Sequence, residues 1–373
     1  MRLIIAGGGT GGHLFPGIAV AEEFLSRDPD NQVLFVGTER GIEARAVPAA
    51  GYRLELVPAA GIRGKGIVSQ VRGGVMMLRG YARSRGLIRE FMPDMVLGVG
   101  GYASLPMVLA ARRKGVPAFI HEQNAIPGMT NRLLGRFVER VFITLAESSA
   151  YFPGSKTLLT GNPLRRQILD AVGPGDLEPV TGAADRQKSA GEDFRLLVFG
   201  GSQGAHAINR AMADALPLLK SISGRLEITH QTGEREVGEI DSAYRRQGIR
   251  ATVTPFIDDM AGAYQRSDLV ICRAGATTIA EVTACGRPAI LIPFPHAVDD
   301  HQRRNAEALL HKGACFMLLE RDLSGEKLAG MIMQLNDDRE LLRQTARLSS
   351  GMARLDAAVI ICDEMRKAIK SGR

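Results

Sequence analysis

The chain has 373 residues, 45% of them hydrophobic and 23% charged, and a net charge of +7. Single cores stop growing near roughly 250 residues, so two α/β domains are expected, and the ordinary apolar content excludes a disordered chain. Cys272, Cys285, Cys315 and Cys362 lie far apart without C-x-x-C spacing, which suggests neither a disulfide framework nor a zinc site and fits a reducing cytoplasm.

The first predicted strand, Leu3-Ile4-Ile5-Ala6, leads into Gly7-Gly8-Gly9-Thr10-Gly11-Gly12-His13 and a helix-patterned segment from about Phe15 to Leu25. Four apolar residues before the glycines are too few for a signal peptide, and no run approaches the ~18 apolar residues of a spanning helix. A chain that neither crosses the membrane nor leaves the cell is expected. Strand, glycine loop and helix in that order turn backbone N–H groups and a helix N-terminus toward an anion. Gly7, Gly9 and Gly12 also satisfy G-x-G-x-x-G, with Glu39 placed as a ribose acid, so an NAD-dependent oxidoreductase is a rival reading.

Charge is divided unevenly. Residues 1–165 hold 20 Lys+Arg against 12 Asp+Glu, a balance of +8, whereas the remainder holds 27 against 28, or −1. Much of the excess falls between Arg63 and Arg89, where Arg63, Lys65, Arg72, Arg79, Arg83, Arg85 and Arg89 occur without an acid. Interleaved Val71, Val75, Leu78 and Tyr81 give an apolar stripe at helical spacing, which suits an anionic membrane surface. The competing reading is an amphipathic core helix with a solvated basic face. A non-catalytic membrane scaffold would account for this stripe and for nothing else. No nucleic-acid motif or aromatic platform accompanies it, so nucleic acid is not expected as a partner.

Further apolar runs at 33–36, 54–57, 95–99, 118–121 and 141–143 alternate with helical segments, the pattern of a doubly wound parallel sheet whose ligands lie at the strand C-terminal ends. Gly161-Asn162-Pro163 closes a first domain, 1–163, and 164–194 reads as a linker. The second domain, 195–350, starts as the first does: Leu196 to Phe199 runs into Gly200-Gly201-Ser202-Gln203-Gly204-Ala205-His206. The stretch 351–373 is expected to be a helix returning to the first domain. Each half also holds a later strand, glycine turn and helix, at Asp94 to Gly101 and at Asp268 to Gly275. Two Rossmann-like domains facing across a cleft would suit a reaction between two large, phosphate-bearing substrates.

These residues carry a resemblance. Gly8 to His13 with Phe15-Pro16-Gly17, Gly64-Lys65-Gly66, Gly100-Gly101-Tyr102 and His121-Glu122-Gln123-Asn124 resemble the MurG family of glycosyltransferases. So do Gly161-Asn162-Pro163 with Arg165, Gly200 to Ala205, Phe256 to Met260, and Cys272-Arg273 with Gly275-Ala276. Members move N-acetylglucosamine from UDP-N-acetylglucosamine to undecaprenyl-pyrophosphoryl-N-acetylmuramoyl pentapeptide. The resemblance implies the two-domain GT-B fold, an inverting mechanism, no metal or other cofactor, and peripheral attachment to the cytoplasmic face of the cell membrane.

It also implies site residues. For the donor these are Phe256 and the Ile257 backbone at uracil, Glu281 at ribose, and the helix start Ala276, Thr277, Thr278, Ile279 and Ala280 at the diphosphate, which needs no cation there. Ser202 and Arg165 add phosphate contacts, and Gln302 and Asn124 bind sugar hydroxyls. Arg273, just before the glycine turn, is left out of the site, a buried structural ion pair being its alternative role. An imidazole, with a reference pKa of about 6.5, can deprotonate the acceptor hydroxyl, so His13 is the first choice of base and Glu122 the reserve. Amides of Thr10, Gly11 and Gly12 bind phosphate of donor or acceptor. The chain departs from the family in having His301 before Gln302, where a glutamine pair is common, and in lacking tryptophan.

Overall fold

The computed structural model describes residues 1–39, 41–60, 67–173, 193–201 and 203–371, with backbone alone at 67–72 and 370–371. Ser202, the Gly64-Lys65-Gly66 motif, Arg63, the Arg72 side chain and most of the linker therefore lie outside the described residues. The chain divides into two compact units, residues 1–166 with 354–373, and residues 167–353.

In the first unit seven strands run β1 (Arg2–Gly7), β2 (Gln32–Gly37), β3 (Leu54–Leu56), β4 (Met95–Gly100), β5 (Ala118–Glu122), β6 (Arg140–Ile143) and β7 (Thr157–Leu159). Their order is β3-β2-β1-β4-β5-β6-β7 and every pairing is parallel. β1 shows why: Leu3 and Ile5 bury into one apolar layer and Ile4 and Ala6 into the other, so both faces must be covered by helices. The terminal helix Ala357–Ser371 covers the first layer, burying Ile361, Cys362 and Met365 against Val20 and Phe24 of α1 (Gly11–Ser26).

The second unit repeats the plan with β8 (Phe194–Phe199), β9 (Leu226–Gln231), β10 (Arg250–Thr254), β11 (Leu269–Cys272), β12 (Ala289–Leu291) and β13 (Phe316–Met317). The order is β10-β9-β8-β11-β12-β13, again parallel throughout. In each sheet the order reverses beside its first strand, where crevices for ligands open. The glycine loops after β1 and β8, and the turns after β4 and β11, stand at these switch points.

Glycine is required where these turns close. Gly7 (φ +149°) and Gly101 (φ +80°) have no room for a Cβ, which would strike the Gly100 and Gly8 carbonyls respectively. The Gly8 N–H donates to the Gly100 carbonyl at 3.2 Å, and the Ser104 hydroxyl ties Ala6 O (2.6 Å) to the same turn by accepting from Gly100 N (3.0 Å). Gly204 (φ +76°) is pressed likewise against the Thr232 carbonyl in the second unit.

The basic stripe forms α3 (Ile67–Phe91). Its C-terminal half is core, with Ser84, Leu87 and Ile88 buried, whereas Val75 (44% exposed) and Leu78 (72%) face solvent beside Arg79. The core-helix reading thus applies to the C-terminal half of the helix, whereas Val75 and Leu78 stay uncovered. Arg83 is exposed too, but its guanidinium is already paired, with Glu55 at 2.9 Å and Glu90 at 3.4 Å. Among the described residues no helix is long and apolar enough to cross a membrane.

Candidate active site

In the first unit His13 occupies the opening turn of α1, behind Thr10 as N-cap. Its ring lies on Gly100, where a Cβ would stand 2.9 Å from Nδ1, and Nδ1 is 2.9 Å from Gln123 Oε1. The glycine loop is not an empty anion cradle throughout. The buried Glu43 carboxylate, from α2 (Glu43–Ala49), accepts from Gly9 N at 2.7 Å and from Thr38 N and Oγ1 at 2.9 Å. The carboxylate thus already occupies Gly9 N, within the loop that a dinucleotide reading would give to pyrophosphate.

Glu122, the reserve choice of base, ends β5. It is 1% exposed, and its oxygens accept from Asn124 N (2.9 Å), Asn124 Nδ2 (3.3 Å), Gly128 N (3.1 Å) and Asn131 Nδ2 (2.9 Å). The carboxylate organises the loop that presents half-buried Asn124. Alternation along β5 gives the reason: His121 and Gln123 turn toward His13, and Glu122 turns the other way. Arg165 stacks over the Phe15 ring at 5.5 Å.

In the second unit Phe256 is 52% exposed beside buried Ile257, as a face for a flat base requires. The Ile257 N–H already donates, at a long 3.3 Å, to Gln231 Oε1, and Gln231 Nε2 donates to Gly201 O at 2.7 Å. Gln231, which sequence reasoning missed, thus ties the second glycine loop to the expected uracil edge. The helix Ala276–Ala284 opens at Gly275 with no side-chain cap, so Ala276, Thr277 and Thr278 form the amide-bearing turn, with Ile279 and Ala280 behind it.

Glu281 is 4% exposed rather than solvated, and accepts from the buried Tyr264 hydroxyl at 3.3 Å. Gln302 Oε1 accepts from Phe294 N at 3.0 Å. His301 Nδ1 donates to Val298 O at 2.8 Å, fastening the turn in which Asp299 (φ 52°) and Asp300 (φ 54°) are left-handed, so it anchors the loop that presents Gln302. Arg273 is buried, pairs with Glu320 and donates to the Ile292 and Pro293 carbonyls, its alternative, structural role.

Each unit also buries a histidine. Burial lowers the His121 pKa to about 4 and that of His230, held between Tyr244 and Asn209, to about 3. Unfolded imidazoles accept protons near 6.5 that these refuse, so stability is full above that pH and falls as pH drops toward 4 and 3. By pH 4.5 the loss is roughly 2–3 kcal/mol for each. Urea midpoints should therefore decline between pH 7 and 4.5; midpoints flat over that range would contradict this.

The glycosyltransferase family 28 N-terminal domain matches residues 3–143 and the family's C-terminal domain residues 195–359. The chain is 66% identical to the UDP-N-acetylglucosamine–N-acetylmuramyl-(pentapeptide) pyrophosphoryl-undecaprenol N-acetylglucosamine transferase of Pelobacter propionicus, covering 98% of this chain and 99% of that protein. It is 60% identical to the protein of the same name from Geobacter metallireducens, covering 98% of each. Among solved structures it is similar to Acinetobacter baumannii MurG, with a TM-score of 0.79 and 31% identity, over 98% of this chain and 99% of that one. Two parallel-sheet units with glycine loops at their switch points, and this identity over nearly the whole length, place the chain in glycosyltransferase family 28, among the MurG N-acetylglucosamine transferases.

Proposed function

We propose that the protein moves N-acetylglucosamine from UDP-N-acetylglucosamine to undecaprenyl-pyrophosphoryl-N-acetylmuramoyl pentapeptide, converting lipid I to lipid II in peptidoglycan synthesis. The observation that carries the reading is the His13 imidazole at the start of the glycine-loop helix, in a chain belonging to this family. His13 takes the proton from the acceptor sugar hydroxyl as the oxygen attacks the anomeric carbon, and UDP leaves from the opposite face, inverting that carbon. The first unit supplies the base, Asn124, Arg165 and the amides of Thr10, Gly11 and Gly12. The second supplies Phe256 and Ile257 for uracil, Glu281 for ribose, Gln302 for sugar, and Ser202 with the turn from Ala276 for the diphosphate. The helix-start amides meet the leaving-group charge, so turnover is expected to persist in EDTA. A requirement for Mg²⁺, restored on its addition, would contradict this. Calorimetry tests the donor assignment: UDP-N-acetylglucosamine should bind and NADH should not.

Attachment to the cytoplasmic membrane face belongs to the same proposal. Its support is the outward row of Val75, Leu78 and Arg79 on α3, together with the exposed Met129, Leu133 and Phe137 and Arg136 on and beyond the helix Met129–Leu134. Methionine, leucine and phenylalanine here take the place of an interfacial tryptophan. Replacing Leu78 by Ser and Arg79 by Glu together should cost about 2 kcal/mol of binding to phosphatidylglycerol vesicles, roughly 30-fold, with turnover on a short-chain soluble acceptor kept. Unchanged vesicle binding would remove this surface from the account.

A further inference from the structure

His13, Gln123 and His121 form one hydrogen-bonded chain. His13 Nδ1 lies 2.9 Å from Gln123 Oε1; Gln123 Nε2 lies 3.0 Å from both the Val99 carbonyl oxygen and His121 Nδ1; His121 Nε2 lies 3.2 Å from the Gly161 carbonyl oxygen. Two of these partners are backbone carbonyls, which only accept. Gly161 O therefore requires the proton on His121 Nε2, leaving Nδ1 as a lone pair that accepts from the Gln123 amide. Val99 O requires the same amide nitrogen. Turning the amide over would set its oxygen against the Val99 carbonyl and the His121 lone pair at once. Gln123 Oε1 must then face His13, so His13 Nδ1 donates and Nε2 carries the lone pair.

We propose that Gln123 and His121 are positioning residues that hold His13 in its Nδ1-protonated tautomer, so that Nε2 is the atom that takes the acceptor hydroxyl proton. The proposal rests on His13 as the base and says how that base is kept ready. Gln123 and His121 are both buried, so water does not compete for these contacts, and the same burial keeps His121 neutral at cytoplasmic pH. The Gln123 oxygen also suits the imidazolium formed in the reaction, because Nδ1–H is present before and after proton transfer. Thr144 Oγ1, 3.4 Å from His121 Nε2, fits the arrangement as a second acceptor.

The test is ¹⁵N-histidine NMR on the full chain, with the His13 signals assigned from the spectrum of His13→Gln. In the wild type at pH 7.5 His13 should carry its proton on Nδ1. In Gln123→Met, which keeps the length of the side chain without donor or acceptor, the Nε2-protonated form should appear. There kcat should fall about 10- to 100-fold, the size seen when the outer hydrogen-bond partners of metal-bound histidines are lost, with both KM values within about twofold. A wild-type His13 protonated on Nε2 overturns the proposal, as does a variant whose tautomer is unchanged. The wild-type spectrum decides even if the variant fails to fold. A tautomer that shifts without loss of turnover would instead keep the lock and remove His13 from the chemistry, so the two claims fail separately.

Discussion

Replacing His13 by Ala is expected to lower kcat about 10²–10⁴-fold while KM for UDP-N-acetylglucosamine stays within about twofold. The range is what a positioned general base contributes. The donor KM is spared because the expected uracil, ribose and most of the diphosphate contacts come from residues of the second unit, to which His13 does not belong. Folding should survive, since alanine is a good helix former at this first-turn position and the ring is only half-buried against Gly100. Initial rates at saturating substrates, with circular dichroism as a control on folding, check this. A variant with near wild-type kcat would exclude His13 as the base. One that loses donor affinity instead would recast it as a phosphate ligand.

Glu281→Ala should act on the other substrate. Its carboxylate is buried and steadied by Tyr264, so it is already dehydrated and oriented before ribose hydroxyls reach it. Losing a hydrogen bond to a charged acceptor costs about 1.5–3 kcal/mol, or roughly 10- to 150-fold in kcat/KM for the donor, carried mainly by KM. The acceptor KM should not move. Tyr264→Phe removes only the steadying hydroxyl and should give a smaller change in the same direction. If Glu281→Ala keeps its donor KM, the ribose assignment is wrong and the residue is structural.

The sequence made legible what depends on neighbours in the chain. Strand, glycine and helix recur in fixed order, and Gly7, Gly101 and Gly204 announce turns because no other residue fits their backbone. Contacts that join distant segments were hidden. Nothing in the glycine loop reveals that Glu43 occupies Gly9 N from 34 residues away, nor does Phe256-Ile257 reveal Gln231 beneath it. Arg83 read as a free charge because Glu55, its partner, lies 28 residues earlier, outside the acid-free stretch. The companion of His13 was open to a different kind of reading. Alternation on a strand, visible in His121-Glu122-Gln123 itself, separates the middle residue from the outer two, and would have pointed to Gln123 as the companion of His13.

Transfer to a lipid-linked sugar is decided by the product that the protein leaves. Purified protein is given UDP-N-acetyl[¹⁴C]glucosamine and undecaprenyl-pyrophosphoryl-N-acetylmuramoyl pentapeptide in the presence of EDTA. Label is expected to enter the lipid-extractable product in a β-glycosidic bond, inverted from the α-linked donor, with UDP released in equal amount. Label that stays in the donor, appears only as free sugar, or enters the lipid with retained configuration would contradict it.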